Sequence, residues 1–249
     1  VFNRLVSIYI YGLFIFLMVL ALITAGAFAL AVWVFRGDPR WAFQLVVRFF
    51  WRLFLHLSPL IGSVRIINPQ NLNALRPAVY VASHQSSIDF VLLGSMIENF
   101  VTISNHPISD LALFFKVPRL VGVYYMEKNN PSAAIEVFNR LSRALERGIS
   151  VFIFPEGTRN FDKTLRPFQK GAFRMAQQSG VPVVPVIIHG TGKIVTKGSN
   201  VAKTLRRTDI DVAYLDPVYA KEGESTRAFI QRVRERMQHE VSKNFACQK

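Results

Sequence analysis

The sequence predicts an α/β fold, a central mixed sheet flanked by helices, with an N-terminal membrane-binding helical segment. Two observations carry that prediction. Residues 5–35 contain no Asp, Glu, Lys, Arg or His, a run that as one helix would be roughly 46 Å long, more than a soluble core helix can use. After Pro59, short β-branched or aromatic runs alternate with helical patterns, the texture of an α/β domain. The chain therefore divides into membrane-binding helices over 1–60 and an α/β domain over 61–249.

Composition excludes two other classes. Of the 249 residues, 51% are hydrophobic and 18% charged, too apolar for an intrinsically disordered chain. The lone Cys247 rules out a disulfide scaffold and fits a reducing compartment. Lys and Arg number 30 against 16 Asp and Glu, a net charge of +14.

Within the first unit, Arg4 and the triplet Ala25-Gly26-Ala27 resemble parts of a secretory signal, but the apolar run is longer than the roughly 7–15 residues such a signal uses. In the next segment Arg40, Gln44, Arg48, Arg52 and His56 recur at every fourth position among large apolar side chains. A helix there carries one polar stripe and is expected to lie in the bilayer interface with its arginines at the headgroups. One tilted span followed by an interfacial helix, or two helices that dip in and return, fit equally well. Arg36, Arg40, Arg48 and Arg52 follow the apolar run while Arg4 precedes it, which places the active site on the cytoplasmic side of a membrane.

In the second unit strands are expected at Val64–Ile67, Ala78–Ala82, Phe100–Ser104, Val121–Met126, Ser150–Phe154, Val183–Ile188 and Ile210–Leu215, from their β-branched and aromatic runs. The clearest helix starts at an Asn130 cap with Pro131 in its first turn, buries Ile135, Phe138, Leu141 and Leu145, and stops at Gly148.

Three constellations carry chemistry. Ser83-His84-Gln85-Ser86-Ser87-Ile88-Asp89 follows a strand directly. A His on a strand-to-helix turn can meet an Asp in the first helical turn, which would fix the tautomer and free the other ring nitrogen to take a proton from a hydroxyl. The Ser86 and Asp89 spacing also fits a capping box that needs no catalysis. Phe154-Pro155-Glu156-Gly157-Thr158-Arg159 follows another strand. Pro and Gly make a turn, Gly157 admits close backbone approach, Thr158 offers a hydroxyl and an amide, and Arg159 offers a fork suited to phosphate. Arg166, Lys170 and Arg174 add positive charge nearby, or form a solvated basic face. Val181-Pro182-Val183-Val184-Pro185 reads as a strand with an entry turn and a bulge, because proline avoids the middle of sheets.

Together these residues resemble the glycerolipid acyltransferases, the family of 1-acylglycerol-3-phosphate (lysophosphatidate) acyltransferases. The blocks at His84 and Asp89, Phe154 to Arg159 and Val181 to Pro185 stand in the family's order and spacing over roughly residues 65–220. The family's second block departs here: Ile108-Ser109-Asp110-Leu111 lacks the usual basic pair, and Tyr125-Met126-Glu127-Lys128 has Lys128 where arginine is usual, which keeps the charge and loses the bidentate fork.

The resemblance implies a membrane-associated enzyme that moves an acyl chain from acyl-CoA or acyl carrier protein to the hydroxyl of lysophosphatidate or a related lysophospholipid. His84, oriented by Asp89, would be the general base. Arg159, Thr158 and Lys128 would hold the phosphate, with Gly157 and Lys170 beside them and Glu156 orienting the acceptor or Arg159. The oxyanion is expected to find backbone amides near Ser86. No His/Cys cluster has metal-ligand spacing, so no metal is expected, and the acyl donor is a co-substrate rather than a cofactor. The expected partners are the lipid bilayer, the lysophospholipid and the acyl donor, with no nucleic acid. Two rivals differ in class: a membrane-tethered protein that binds anionic lipid or nucleic acid without chemistry, and a hydrolase passing the acyl group to water, which would lack the Gly-x-Ser-x-Gly elbow.

Overall fold

The computed structural model describes residues 2–34, 39–104, 121–127, 130–162, 164–195 and 206–246. Two helices lead, α1 (Phe2–Val34) and α2 (Pro39–Leu57). The chain then alternates through β1 (Ile61–Ile67), β2 (Val79–Ala82), α3 (Ile88–Met96), β3 (Phe100–Ser104), β4 (Val123–Tyr125), α4 (Pro131–Glu146), β5 (Ser150–Ile153), α5 (Lys170–Ser179), β6 (Val183–His189), β7 (Thr208–Tyr214) and α6 (Thr226–Ala246). Each expected strand is present, with ends shifted by at most three residues.

The strands form one sheet in the order β1-β7-β6-β2-β5-β3-β4. From β6 to β4 the neighbours are parallel, while β7 runs antiparallel to β6 and carries β1 with it, so the sheet is mixed. Alternation sorts the side chains to two cores. Tyr80 and Ala82 of β2 join a cluster with α1, α2 and α3, whereas Val79 and Val81 join one with α4, α5 and α6. From β2 the chain passes to β3 on one side, and from β5 it returns to β6 on the other. Such opposed connections open a crevice at the carboxyl ends of the strands between them.

Pro182 precedes β6 as an entry turn and Pro185 sits at an irregularity of pairing, in keeping with the expected entry turn and bulge. Pro185 lies in an interior strand, opposite Val81 of β2 in unbroken register. Pairing with β7 begins only at Val186, and the Pro185 carbonyl accepts from Leu215 N just after β7 ends. Two steps along β6, from Pro185 back to Val183, face three on the partner, from Leu215 to Val218, so the missing N–H falls at an irregularity of the ladder, where proline is tolerated. In α4, Asn130 caps Ala133 N and Gly148 takes φ +76 beyond the C-terminus, as expected. Its buried face is Val137, Leu141, Ala144 and Leu145, and Ile135 is exposed. Phe138 is partly buried against the same core, so of the expected stripe Ile135 alone is turned outward and Val137 takes its place.

The two leading helices form an antiparallel hairpin. Ring contacts pair Phe14 with Phe54 at 5.1 Å and Phe28 with Trp41 at 6.0 Å, in opposite order along the two helices. Leu17, Ala21, Ala25 and Ala29, four apart, are buried, and small side chains at that spacing allow close helix approach. Another face of α1 is exposed and apolar, with Phe2, Ile8, Ile15, Phe16, Ile23 and Leu30 on its surface.

Gln44, Arg48 and Arg52, the middle of the polar stripe of α2, bond to the domain, contrary to the headgroup expectation, while His56 is exposed. Buried Gln44 donates from Nε2 to the carbonyls of Phe100 (2.7 Å) and Val121 (3.3 Å). Arg48 lies 3.5 Å from Glu98, which also pairs with Arg76, and Arg52 Nε donates to Ser95 O at 3.0 Å in the last turn of α3. The reason is physical: strand and helix ends leave carbonyls and a carboxylate that need buried donors, and α2 supplies them. The hydrogen bond from Arg76, with further attraction from Arg76 and Arg48, holds the Glu98 carboxyl below the usual carboxylate range. Trp51 of α2 packs on Phe90 and Phe100, so the hairpin shares its core with the sheet.

Candidate active site

The site is built where β2, β5 and β6 end. β2 leads into the turn Ser83–Ser87 before α3. Ser83 holds the turn to β6, its Oγ accepting from Ile188 N at 2.9 Å. His84 is next, with its side chain 18% exposed, while Asp89 in the first turn of α3 is fully buried. His84 Nδ1 and Asp89 Oδ2 are 2.9 Å apart. The same oxygen accepts from Gln85 N at 2.6 Å and Ser86 N at 2.8 Å, and Oδ1 accepts from Thr191 Oγ1 at 2.5 Å. A group surrounded by donors acts as an acceptor-only carboxylate, so the imidazole carries its proton on Nδ1 and leaves Nε2 as the acceptor.

Asp89 thus serves both readings of its spacing. It reaches back to the amide three residues earlier, as a capping side chain does, and it orients His84. The amides of Gln85 and Ser86 are consumed by this carboxylate. They are therefore not the oxyanion donors that the sequence suggested near Ser86.

β5 supplies the second wall. The Phe154 ring stacks on the His84 ring with centroids 4.0 Å apart and planes 16° from parallel. A turn follows, closed by Gly157 N donating to Phe154 O at 3.1 Å, with Gly157 at φ +65 and exposed. Asn160 N then donates to the His84 carbonyl at 2.7 Å, which draws Thr158 and Arg159, both half-buried, beside the dyad's turn. The Arg159 guanidinium makes no hydrogen bond or ion pair among the described residues. A planar cation left unpaired at a partly buried turn is suited to an anionic ligand.

Glu156 turns the other way. Buried, it accepts on Oε2 from Asn160 Nδ2 (2.8 Å) and from Arg166 N (2.9 Å), clamping the loop that it begins. Its Oε1 has no partner among the described residues and borders a cleft with Ser83, Gln85, Asn160 and Asp162. Lys170 opens α5 and is exposed, one residue after Gln169, whose N–H donates to Pro155 O at 2.8 Å. Lys128 and the stretch 108–111 lie outside the described residues. Glu127 accepts from Asn130 Nδ2 at 2.9 Å.

Three contributors escaped sequence reasoning: Phe154 as the stacking partner, Asn160 as the link between the loop and His84, and Thr191 on Asp89. Thr191 carried a readable cue, since Gly190-Thr191 follows a strand end just as the other two motifs do.

An α/β sheet whose parallel strands present at one end a His–Asp pair, and an arginine without a partner among the described residues, has an arrangement suited to proton transfer beside an anion. A family model described as Acyltransferase matches residues 63–189, half of the chain, and the chain belongs to that family. It is 36% identical over 148 residues to the chloroplastic 1-acyl-sn-glycerol-3-phosphate acyltransferase of Brassica napus, covering 59% of this chain and 42% of the other. To the human 1-acyl-sn-glycerol-3-phosphate acyltransferase beta it is 34% identical over 167 residues, 66% of this chain and 59% of the other. The match to the enzyme of that name from Escherichia coli is 32% over 148 residues, 57% and 59% of the two chains. The chain spans about half the length of these curated relatives. Among solved structures, the 1-acyl-sn-glycerophosphate acyltransferase PlsC of Thermotoga maritima superposes with a TM-score of 0.77 over 98% of this chain and 96% of that one. At 23% identity that likeness is one of fold.

Proposed function

We propose that the protein is a membrane-associated acyltransferase that moves a fatty acyl group from acyl-CoA or acyl carrier protein to the free hydroxyl of lysophosphatidate or a related lysophospholipid, in phospholipid synthesis or remodelling. The observation that carries this reading is the His84–Asp89 pair at 2.9 Å, its ring partly open, tied through Asn160 N to the loop of an unpaired Arg159. The names of the relatives supply the acceptor.

In this reading Asp89 holds Nδ1–H, and Nε2 of His84 takes the proton of the acceptor hydroxyl as its oxygen attacks the thioester carbonyl carbon. The tetrahedral intermediate collapses by breaking the carbon–sulfur bond, and the imidazolium returns its proton to the departing thiolate. Ester and free thiol are the products. General-base help of this kind contributes about 10²–10⁴-fold. Arg159 binds the acceptor's phosphate with Thr158 beside it, Lys128 and Lys170 add positive charge, and Gly157 keeps the turn open to the ligand. Glu156 supports the loop and turns its second oxygen to the cleft. No metal or further cofactor takes part.

The exposed apolar face of α1 is the membrane-binding surface in this reading, with the active site on the cytoplasmic side and residues 1–60 as the membrane-binding unit. Both substrates carry acyl chains, so access from a bilayer is required.

The test is thiol release from a long-chain acyl-CoA by the detergent-purified protein, with and without lysophosphatidate, beside His84→Ala. The reading expects release that depends on acceptor and falls at least about 10²-fold in the variant. Release unaffected by His84→Ala would overturn the mechanism.

A further inference from the structure

The geometry points to Thr191 as a positioning residue of the dyad, one that sets the carboxylate of Asp89 and acts on the reaction only through it. This rests on the acyltransferase reading above. The two oxygens of Asp89 are held differently. Oδ2 receives three donors, His84 Nδ1 and the amides of Gln85 and Ser86, all from its own turn. Oδ1 receives one, Thr191 Oγ1, from a strand end 102 residues away. Rotation about the Cβ–Cγ bond would carry Oδ2 off its three donors, all of which belong to the same turn and can shift with it. The bond to Oδ1 adds the one restraint on that torsion that comes from outside the turn, and it ties the lone pair facing His84 to the end of β6.

The fold places Thr191 with unusual care. β6 runs parallel to β2 and stays with it to the end, since Ser83 N donates to Val186 O and Ser83 Oγ accepts from Ile188 N. Gly190 then turns at φ +102, where a Cβ would stand 2.3 Å from the Asp209 carbonyl oxygen. Only glycine passes that point without displacing β7. Thr191 follows, fully buried, and its carbonyl accepts from Ile194 N at 3.1 Å, so backbone and side chain are both anchored. A fully buried hydroxyl aimed at a fully buried carboxylate is a charge-assisted pair shielded from water. The bond joins the end of β6 to the start of α3, and so makes the block after the two prolines part of the catalytic apparatus.

The experiment compares Thr191→Val, which keeps the shape and removes the donor, with Thr191→Ser, which keeps the donor and removes a methyl group. Acceptor-dependent thiol release is measured with acyl-CoA and lysophosphatidate. Thr191→Val is expected to lower kcat about 10–100-fold with both KM values within about twofold, the pattern of lost alignment rather than lost binding. Thr191→Ser is expected to stay within about threefold of the wild type, and Thr191→Val in an Asp89→Ala background to cause no further loss, since partners acting through one group are not additive. An unchanged kcat in Thr191→Val, a loss confined to KM, a loss equally present in Thr191→Ser, or a full further loss in the Asp89→Ala background would each overturn the inference. Should Thr191→Val not fold, Thr191→Ala against Thr191→Ser makes the same comparison. Wild-type protein without acceptor-dependent release would overturn the acyltransferase reading, whereas active wild type with fully active Thr191→Val sinks the role of Thr191 alone.

Discussion

Substituting Asp89 separates the electrostatic part of the dyad from its architectural part, because asparagine and alanine remove different things. In Asp89→Asn the amide can keep its oxygen at the Oδ2 position, where it still accepts from His84 Nδ1, Gln85 N and Ser86 N, at present 2.9, 2.6 and 2.8 Å away. Its NH2 group then faces Thr191, whose hydroxyl reverses its role and accepts. The hydrogen bonds survive, and only the negative charge beside the developing imidazolium is lost. A pair at this separation interacts by about 6 kcal/mol at an effective dielectric constant near 20, so kcat should fall on the order of 10³–10⁴-fold. Stability should hardly move. Asp89→Ala instead strands two buried amides and a hydroxyl, each lost acceptor costing about 1–3 kcal/mol, and should lower the melting temperature markedly as well. The assay is acceptor-dependent thiol release with thermal unfolding in the same detergent. A less than tenfold loss of kcat in Asp89→Asn would refute the assignment of the carboxylate to imidazolium stabilisation, as would a large loss of stability in that variant.

Three further outcomes follow from the packing. Gly94→Ala in α3 should destabilise, although Gly-to-Ala in a helix ordinarily gains about 1 kcal/mol: the new Cβ would stand 2.1 Å from Trp51 Cζ3, and Trp51 is confined by Phe90 and Phe100, so overpacking of about 1–3 kcal/mol wins and shows as a lower melting temperature. Glu98 has its carboxyl below the ordinary range in the folded state, so the stability it contributes is present above its unfolded value, near 4.5, and is lost as pH falls through the lower folded value. Glu98→Gln should therefore reduce stability at neutral pH and flatten the acid side of a melting-temperature profile below about pH 4.5, where a profile parallel to wild type would contradict the ion-pair assignment. Replacing exposed Ile8, Phe16 and Ile23 of α1 together by Glu should release the protein from liposomes while leaving the melting temperature of the domain unchanged, and retention on the liposomes would place the membrane surface elsewhere.

The parts of the fold that were legible in the sequence are those set by local pattern. Strand period and β-branched runs located the seven strands, and Asn130, Pro131 and Gly148 bounded α4, because caps and turns act within a few residues. The dyad was legible for the same reason: His84 and Asp89 share one strand-to-helix turn. What depends on partners far along the chain was not. The stripe Gln44, Arg48, Arg52 has the period of an amphipathic helix on a membrane, yet the carbonyls of Ser95, Phe100 and Val121 and the carboxylate of Glu98, 43 to 77 residues further on, turn it toward the domain. Ile135 had the right spacing for the buried face of α4, but the helix turns Val137 inward in its place and leaves Ile135 exposed. Pro185 fits an interior strand because the partner segment carries an extra residue between Leu215 and Val218, which no property of β6 reveals.

The central claim is that His84, held by Asp89, delivers an acyl group to a lipid hydroxyl, and the destination of the acyl group tests it most directly. Purified protein would be given radiolabelled long-chain acyl-CoA and lysophosphatidate, and the lipid products separated. The account predicts label in the diacylated phospholipid, formed by wild type and not by His84→Ala. Label recovered as free fatty acid, in amounts indifferent to lysophosphatidate, would contradict it and make the protein a hydrolase.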